Sequence, residues 1–145
     1  MILTPHIIVG AVIGAKIKKP FLIIILGFLS HFILDAIVHW DYPMRLSNVL
    51  IDVLIGILIV FLVARKKNIL NRHYVPYIIL GIFASLLPDF LWWINAFVNN
   101  ELLNNYTDLH HGIHYLNEKE GVITFLGLFS QVVVVIISLL LLFVF

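Results

Sequence analysis

The chain is 145 residues long, 62% hydrophobic and only 12% charged, with a formal net charge of +1. So much apolar surface cannot be hidden in a water-soluble fold of this size, because small chains bury the smaller share of their surface and soluble domains carry about 25% charged residues. The composition excludes an ordinary soluble domain and a disordered chain, the lack of cysteine excludes disulfide scaffolds and thiolate chemistry, and the small net charge excludes a nucleic-acid partner.

About 20 apolar residues cross a hydrocarbon core of ~30 Å, and that length predicts an all-α, multi-pass transmembrane bundle of about five spans, one domain over 1–145. Residues 2–15 (ILTPHIIVGAVIGA) form the first span. At about 21 Å of helix it is short, which leaves a mismatched or re-entrant path open. No basic residue precedes this run, so a signal peptide is not expected. Residues 20–40, 46–64, 74–94 and 121–145 supply the other four spans. The stretch 95–120 (NAFVNNELLNNYTDLHHGIHYLNEKE) is the long polar segment, a histidine-rich loop between spans four and five.

Seven of the nine basic residues fall between spans one and two (Lys16, Lys18, Lys19) or between spans three and four (Arg65, Lys66, Lys67, Arg72). All eight acidic residues lie elsewhere. The positive-inside rule makes those two loops cytoplasmic and puts 95–120 outside an inner or plasma membrane. Trp40, Tyr42, Trp92 and Trp93 then mark the outer interface.

Counting helix rise from the basic anchors brings His6, His31, Asp35, His39, Asp52 and Asp89 into the outer half of the bilayer, below His110, His111 and His114 of the loop. A carboxylate at such depth costs at least ~2.5 kcal/mol on insertion scales, so such residues are paired and functional as a rule. A divalent cation neutralises the carboxylates and is ligated by the imidazoles. With no thiolate available, zinc comes first, ahead of manganese and iron. His31, Asp35 and His39 recur at i, i+4 and i+8 along span two, and one helical face can chelate a metal with the first two. Pro88 kinks or ends span four and turns Asp89 inward. His110, His114 and Glu118 share a face if their segment is helical, although Gly112 could bend it into a loop. Asp52 is a direct ligand, a capping carboxylate or, like Glu118, a general base or outer-shell partner of the metal. His73 belongs to the basic side.

Together with His6, the phrases LGFLSHFILDAIVHWDYP at 26–43, LLPD at 86–89 and HHGIH at 110–114 resemble those of the small membrane-bound, metal-dependent hydrolase-like proteins of bacteria and archaea. Nearly the whole chain is covered, through short motifs. HHGIHY departs from the His-Arg-Gly-x-Thr-His-Ser phrase common in that group, and its Leu-Pro-Asp follows rather than precedes Ser-His-x-x-x-Asp. More distantly, His31/Asp35/His39 and His114/Glu118 are similar to the helical His-x-x-x-Asp…His and His-x-x-x-Glu phrases of the zinc-dependent phospholipase C and single-strand nuclease superfamily. The resemblance implies metal-assisted hydrolysis of a phosphoester, with a membrane-lipid headgroup as the accessible substrate. His6, His31, Asp35, His39, Asp89, His110, His111 and His114 would be candidate ligands, with Asp52 and Glu118 as catalytic carboxylates. A cation or proton pathway lined by the same residues, or a structural protein with a stabilising metal, are the other readings; the apolar inner halves of spans two to four count against a through-path. Oligomeric state is not legible.

Overall fold

The structure, a computed structural model, describes residues 1–43, 45–98, 100–114 and 124–144. Among these residues six helices follow one another: α1 (Leu3–Ile17), α2 (Pro20–Ala36), α3 (Leu46–Lys66), α4 (Val75–Val98), α5 (Glu101–His114) and α6 (Phe125–Phe143). No strand occurs among the described residues. Three helices, α3, α4 and α6, are long and apolar enough to cross a membrane; α1 and α2 are apolar but shorter. The described residues therefore form an all-helical bundle of membrane type, in which three of the five expected spans have helices long enough to cross a membrane.

Helix α1 is the axis of the bundle. Ten of its residues, from Thr4 to Ala15, are buried, and it packs against α2, α3, α4 and α6. The approach to α4 is made possible by glycine: a Cβ on Gly10 or Gly14 would run into the backbone carbonyl of Gly81 or Tyr77, and one on Gly81 into that of Gly10. Small residues at such a crossing replace the hydrophobic drive that is missing between helices in lipid. Below the polar end, Ile7, Ile8, Ala11, Val12 and Ala15 join Val60, Val63, Ile78 and Leu142 in the apolar core. The outer faces carry exposed Leu50, Leu54 and Leu58 on α3 and Leu126, Phe129 and Leu140 on α6. In water these would be a liability, but against hydrocarbon they are matched.

Chain reversals are built from local chemistry. Lys18 takes a left-handed conformation (φ 51°) to end α1, and Pro20, whose missing N–H costs nothing at a first helical turn, starts α2. Asn68 (φ 57°), a residue that tolerates this region, turns the chain after α3. The basic residues gather at this end, where Lys16 Nζ donates to the Val144 carbonyl at 2.8 Å and Lys18 Nζ lies 3.9 Å above the Tyr74 ring.

Three expectations need correction. Span two was expected over 20–40, but α2 stops at Ala36. Backbone carbonyls beyond it are taken by side chains instead of helix N–H groups: Ser130 Oγ donates to Val38 O, Gln131 Nε2 to Trp40 O, and a ring nitrogen of His39 meets Ile37 O at 2.6 Å. The polar stretch after α4 is not a loop over 101–114, since it forms α5 with Gly112 inside it. Of the two outcomes expected at Pro88, a kink or an end, the end is excluded, since α4 runs on to Val98.

Candidate metal centre

Four helices and the segment after α2 bring imidazoles and carboxylates to one end of the bundle, opposite the basic turns. The four-residue spacing of His31 and Asp35 puts both on the inner face of α2, with His31 Nε2 2.9 Å from Asp35 Oδ2. From α1, His6 Nε2 reaches Asp35 Oδ1 at 3.2 Å. Helix α4 contributes Asp89, whose Oδ1 is 3.5 Å from His31 Nε2 and 3.7 Å from His110 Nε2. The i, i+4 spacing of α5 delivers His110 and His114, the latter with Nε2 2.8 Å from Asp35 Oδ2. The α-amino group of Met1 is 2.8 Å from Asp35 Oδ1.

These residues form three overlapping groups: His6, His31 and Asp35; His31, Asp89 and His110; and Asp35, His39 and His114. Within each, one potential ligand atom per residue lies within 4.8 Å of the others. His31 and Asp35 each serve two groups, so α2 is the hinge of the whole arrangement. Asp35 is 1% exposed, and a carboxylate so buried is stable only if surrounded by partners of positive or donor character.

The arrangement fits a cation on two counts. His31 Nδ1 is 2.8 Å from the Ser85 carbonyl. A carbonyl only accepts, so Nδ1 carries the proton and a neutral His31 turns a bare Nε2 toward the carboxylates and His110. Secondly, neither ring nitrogen of buried His6 has a hydrogen-bond partner, nor has His110 Nδ1. His6 Nε2 is near Asp35 but poorly aligned for a bond, as expected of two ligands facing a third body.

Polar contacts hold α5 in place. Tyr106 Oη donates to Pro88 O at 2.9 Å, one residue before Asp89, and Asn95 Nδ2 donates to Asn104 Oδ1 at 2.8 Å and Thr107 Oγ1 at 3.0 Å. The Tyr106 hydroxyl is pushed up from its ordinary pKa by burial and by the charges of Asp89 and Asp35, so it stays a donor.

Of the residues expected at the site, the structure brings His6, His31, Asp35, Asp89, His110 and His114 together. His39 joins them by another route: the expected i, i+8 position on one helix does not exist, because α2 has ended, and the buried ring enters from the extended segment. Asp52 belongs to none of the three groups. Its carboxylate accepts from the backbone N–H of Leu3 and Thr4 and from Thr4 Oγ1 and from Tyr42 Oη at 3.1 Å, which makes it the cap of α1. His111 is exposed and its ring lies 5.6 Å from that of Trp92, outside the groups. Glu118 lies outside the described residues.

Sequence reasoning missed Asp41, Ser85 and Tyr106. Asp41 Oδ2 is 2.9 Å from His39 Nε2 and 4.0 Å from His114 Nδ1. Burial alone would raise its pKa, but the hydrogen bond with His39 and the nearby α-amino charge outweigh burial and hold the carboxyl below its ordinary range. The His-x-Asp spacing of HWD was the available signal. Ser85 acts through its carbonyl, which no side-chain pattern announces. No protein-family model, curated protein or solved structure matches this chain.

Proposed function

We propose that the protein is a membrane-embedded, metal-dependent hydrolase of phosphoesters, with its site at the outer face of a five-span bundle. The observation that carries this reading is the convergence of buried and half-buried imidazole and carboxylate atoms in three overlapping groups, with the Ser85 carbonyl holding a proton on His31 Nδ1 and leaving Nε2 to face the carboxylates. His6, His31, Asp35, His39, Asp89, His110 and His114 would hold one or more divalent ions, zinc first, since the donors are all nitrogen and oxygen. When bound, such an ion supplies a water activated near neutral pH and polarises a phosphoryl oxygen.

The chain's own residues do the rest. Asp89 and His114, with side chains 29% and 27% exposed, form the accessible edge where a substrate meets the cluster. Tyr106 fixes α5, and thereby His110 and His114, against α4. Glu118, four residues beyond His114, is the candidate general base. Lys16–Lys19 and Arg65–Arg72 lie on the cytoplasmic side by the positive-inside rule, and a lipid headgroup of the outer leaflet is the substrate within reach.

Cation transport is the second reading. It needs polar groups across the bundle, whereas the core beside the cluster is built from Ile7, Ile8, Ala11, Val12 and Ala15, which favours a one-sided site. The deciding experiment is hydrolysis of bis(p-nitrophenyl) phosphate by detergent-purified, zinc-loaded protein. Turnover that chelation and Asp35→Ala both abolish is the expected result. Folded, metal-loaded protein that cleaves neither phosphomonoesters nor phosphodiesters would overturn the hydrolase reading.

A further inference from the structure

The end of the bundle opposite the His/Asp cluster carries seven of the nine basic residues, in and beside the turn from α1 to α2 and the turn from α3 to α4. Packing draws the two turns into one surface around the end of α6. Lys16 Nζ donates to the Val144 carbonyl, and Lys66 Nζ stands 5.5 Å from the centre of the Phe143 ring. Lys18 Nζ lies over the ring of Tyr74, which leads into α4.

This surface is short of negative charge. Among the described residues the carboxylates in ion pairs are Asp35, Asp41 and Asp89, all at the other end. Lys18, Lys19, Arg65, Lys66 and Arg72 are exposed, and among the described residues they pair with no carboxylate. Helix dipoles account for some of these cations, since Arg65 and Lys66 occupy the last turn of α3, where the partial charge is negative. Lys19 is the contrary case. It caps the N-terminal end of α2, whose first turn holds no acid, so the dipole repels it. Exposed Phe21, Leu70 and Val144 lie among the cations, so hydrocarbon gives way to headgroups at this level.

We propose that the two basic turns form a binding surface for the phosphate of an anionic phospholipid, in whichever leaflet meets this end. Such a headgroup supplies the negative charge that the surface lacks, while its acyl chains lie against Phe21 and Leu70. A zwitterionic headgroup carries its own ammonium, which these cations repel. A soluble phosphate matches the charge but leaves the apolar side chains uncovered. Each lysine or arginine near an anionic surface is worth about fivefold in affinity. Neither metal nor turnover at the opposite end enters into this binding.

The test is native mass spectrometry of the full chain in neutral detergent, titrated with phosphatidylglycerol or with phosphatidylcholine of the same acyl chains. Phosphatidylglycerol should bind more tightly, and Lys19→Gln/Arg72→Gln, one change in each turn, should weaken it about 25-fold. Lys18→Gln/Arg65→Gln serves if that pair does not fold. Arg45→Gln, which removes a charge where α3 begins at the cluster end, should leave binding unchanged. Glycerol 3-phosphate at equal concentration should not displace the lipid. Equal binding of the two lipids would overturn the proposal, as would a comparable loss with Arg45→Gln, which marks net charge in place of a site. Displacement by glycerol 3-phosphate would overturn it too, leaving a site for small phosphate anions.

Discussion

The Nε2 atoms of His31 and His110 lie 3.1 Å apart, on helices separated by 79 positions in sequence. Because the Ser85 carbonyl holds the proton of His31 on Nδ1, the pair either shares a proton on Nε2 or faces a common cation. Asp89 Oδ1, at 3.5 and 3.7 Å from the two nitrogens, completes a set of three potential ligand atoms. His110→Ala dismantles this group and leaves His6, His31 and Asp35 together, so part of the bound metal should remain. Asp35→Ala, which breaks two of the three groups, should weaken binding well beyond the 10- to 100-fold typical of an outer-shell change. Metal titration of the two variants compares them directly.

Asp52 receives the N–H groups of Leu3 and Thr4 at the free start of α1. Loss of an N-cap costs about 0.5–2 kcal/mol, so Asp52→Ala should lower the Tm in detergent by that measure while metal content stays at the level of the unaltered protein. Metal lost with the Tm unchanged would instead place Asp52 among the ligands.

Two glycines should respond in opposite senses to alanine. Gly14 faces the Tyr77 backbone with no room for a Cβ, and a forced separation of α1 from α4 costs about 1–3 kcal/mol. Gly112 has nothing within 4 Å of an added Cβ and sits inside α5, so Gly112→Ala should stabilise that helix by about 0.5–1 kcal/mol. Hydrogen exchange across residues 101–114, together with thermal unfolding, reads both effects.

Tyr42 ionises above its ordinary range, because burial disfavours the phenolate and the Asp52 carboxylate beside it adds repulsion. A group whose folded pKa is raised favours the folded state below its unfolded pKa, about 10 for tyrosine. That contribution is lost as the pH climbs from there through the folded value. Tyr42→Phe should therefore flatten the loss of stability above pH about 10. An unchanged alkaline profile would show that neither burial nor Asp52 raises the Tyr42 hydroxyl.

The His/Asp cluster was legible where a local period carried it. His31 and Asp35 announce themselves by a four-residue spacing inside an apolar run, and a carboxylate in such a run demands a partner. His39 was placed on the wrong element, because the end of α2 is fixed by Ser130 and Gln131, some ninety residues away. Helix α5 was masked by its polarity: its inward stripe of Leu103, Tyr106 and His110 is narrow and only partly apolar, and Gly112 reads as a bend until packing against α4 decides the matter. The cap at Asp52 is a tertiary contact across 48 and 49 positions and has no trace in its own neighbourhood.

Whether the buried His/Asp cluster holds a metal is read from metal content per chain, measured by inductively coupled plasma mass spectrometry on detergent-purified protein freed of its affinity tag. The unaltered protein should carry one or more equivalents of zinc or another transition metal, and His31→Ala/Asp35→Ala, verified as folded by circular dichroism, should carry none. An unaltered protein that is folded, exposed to zinc and still metal-free would contradict the account.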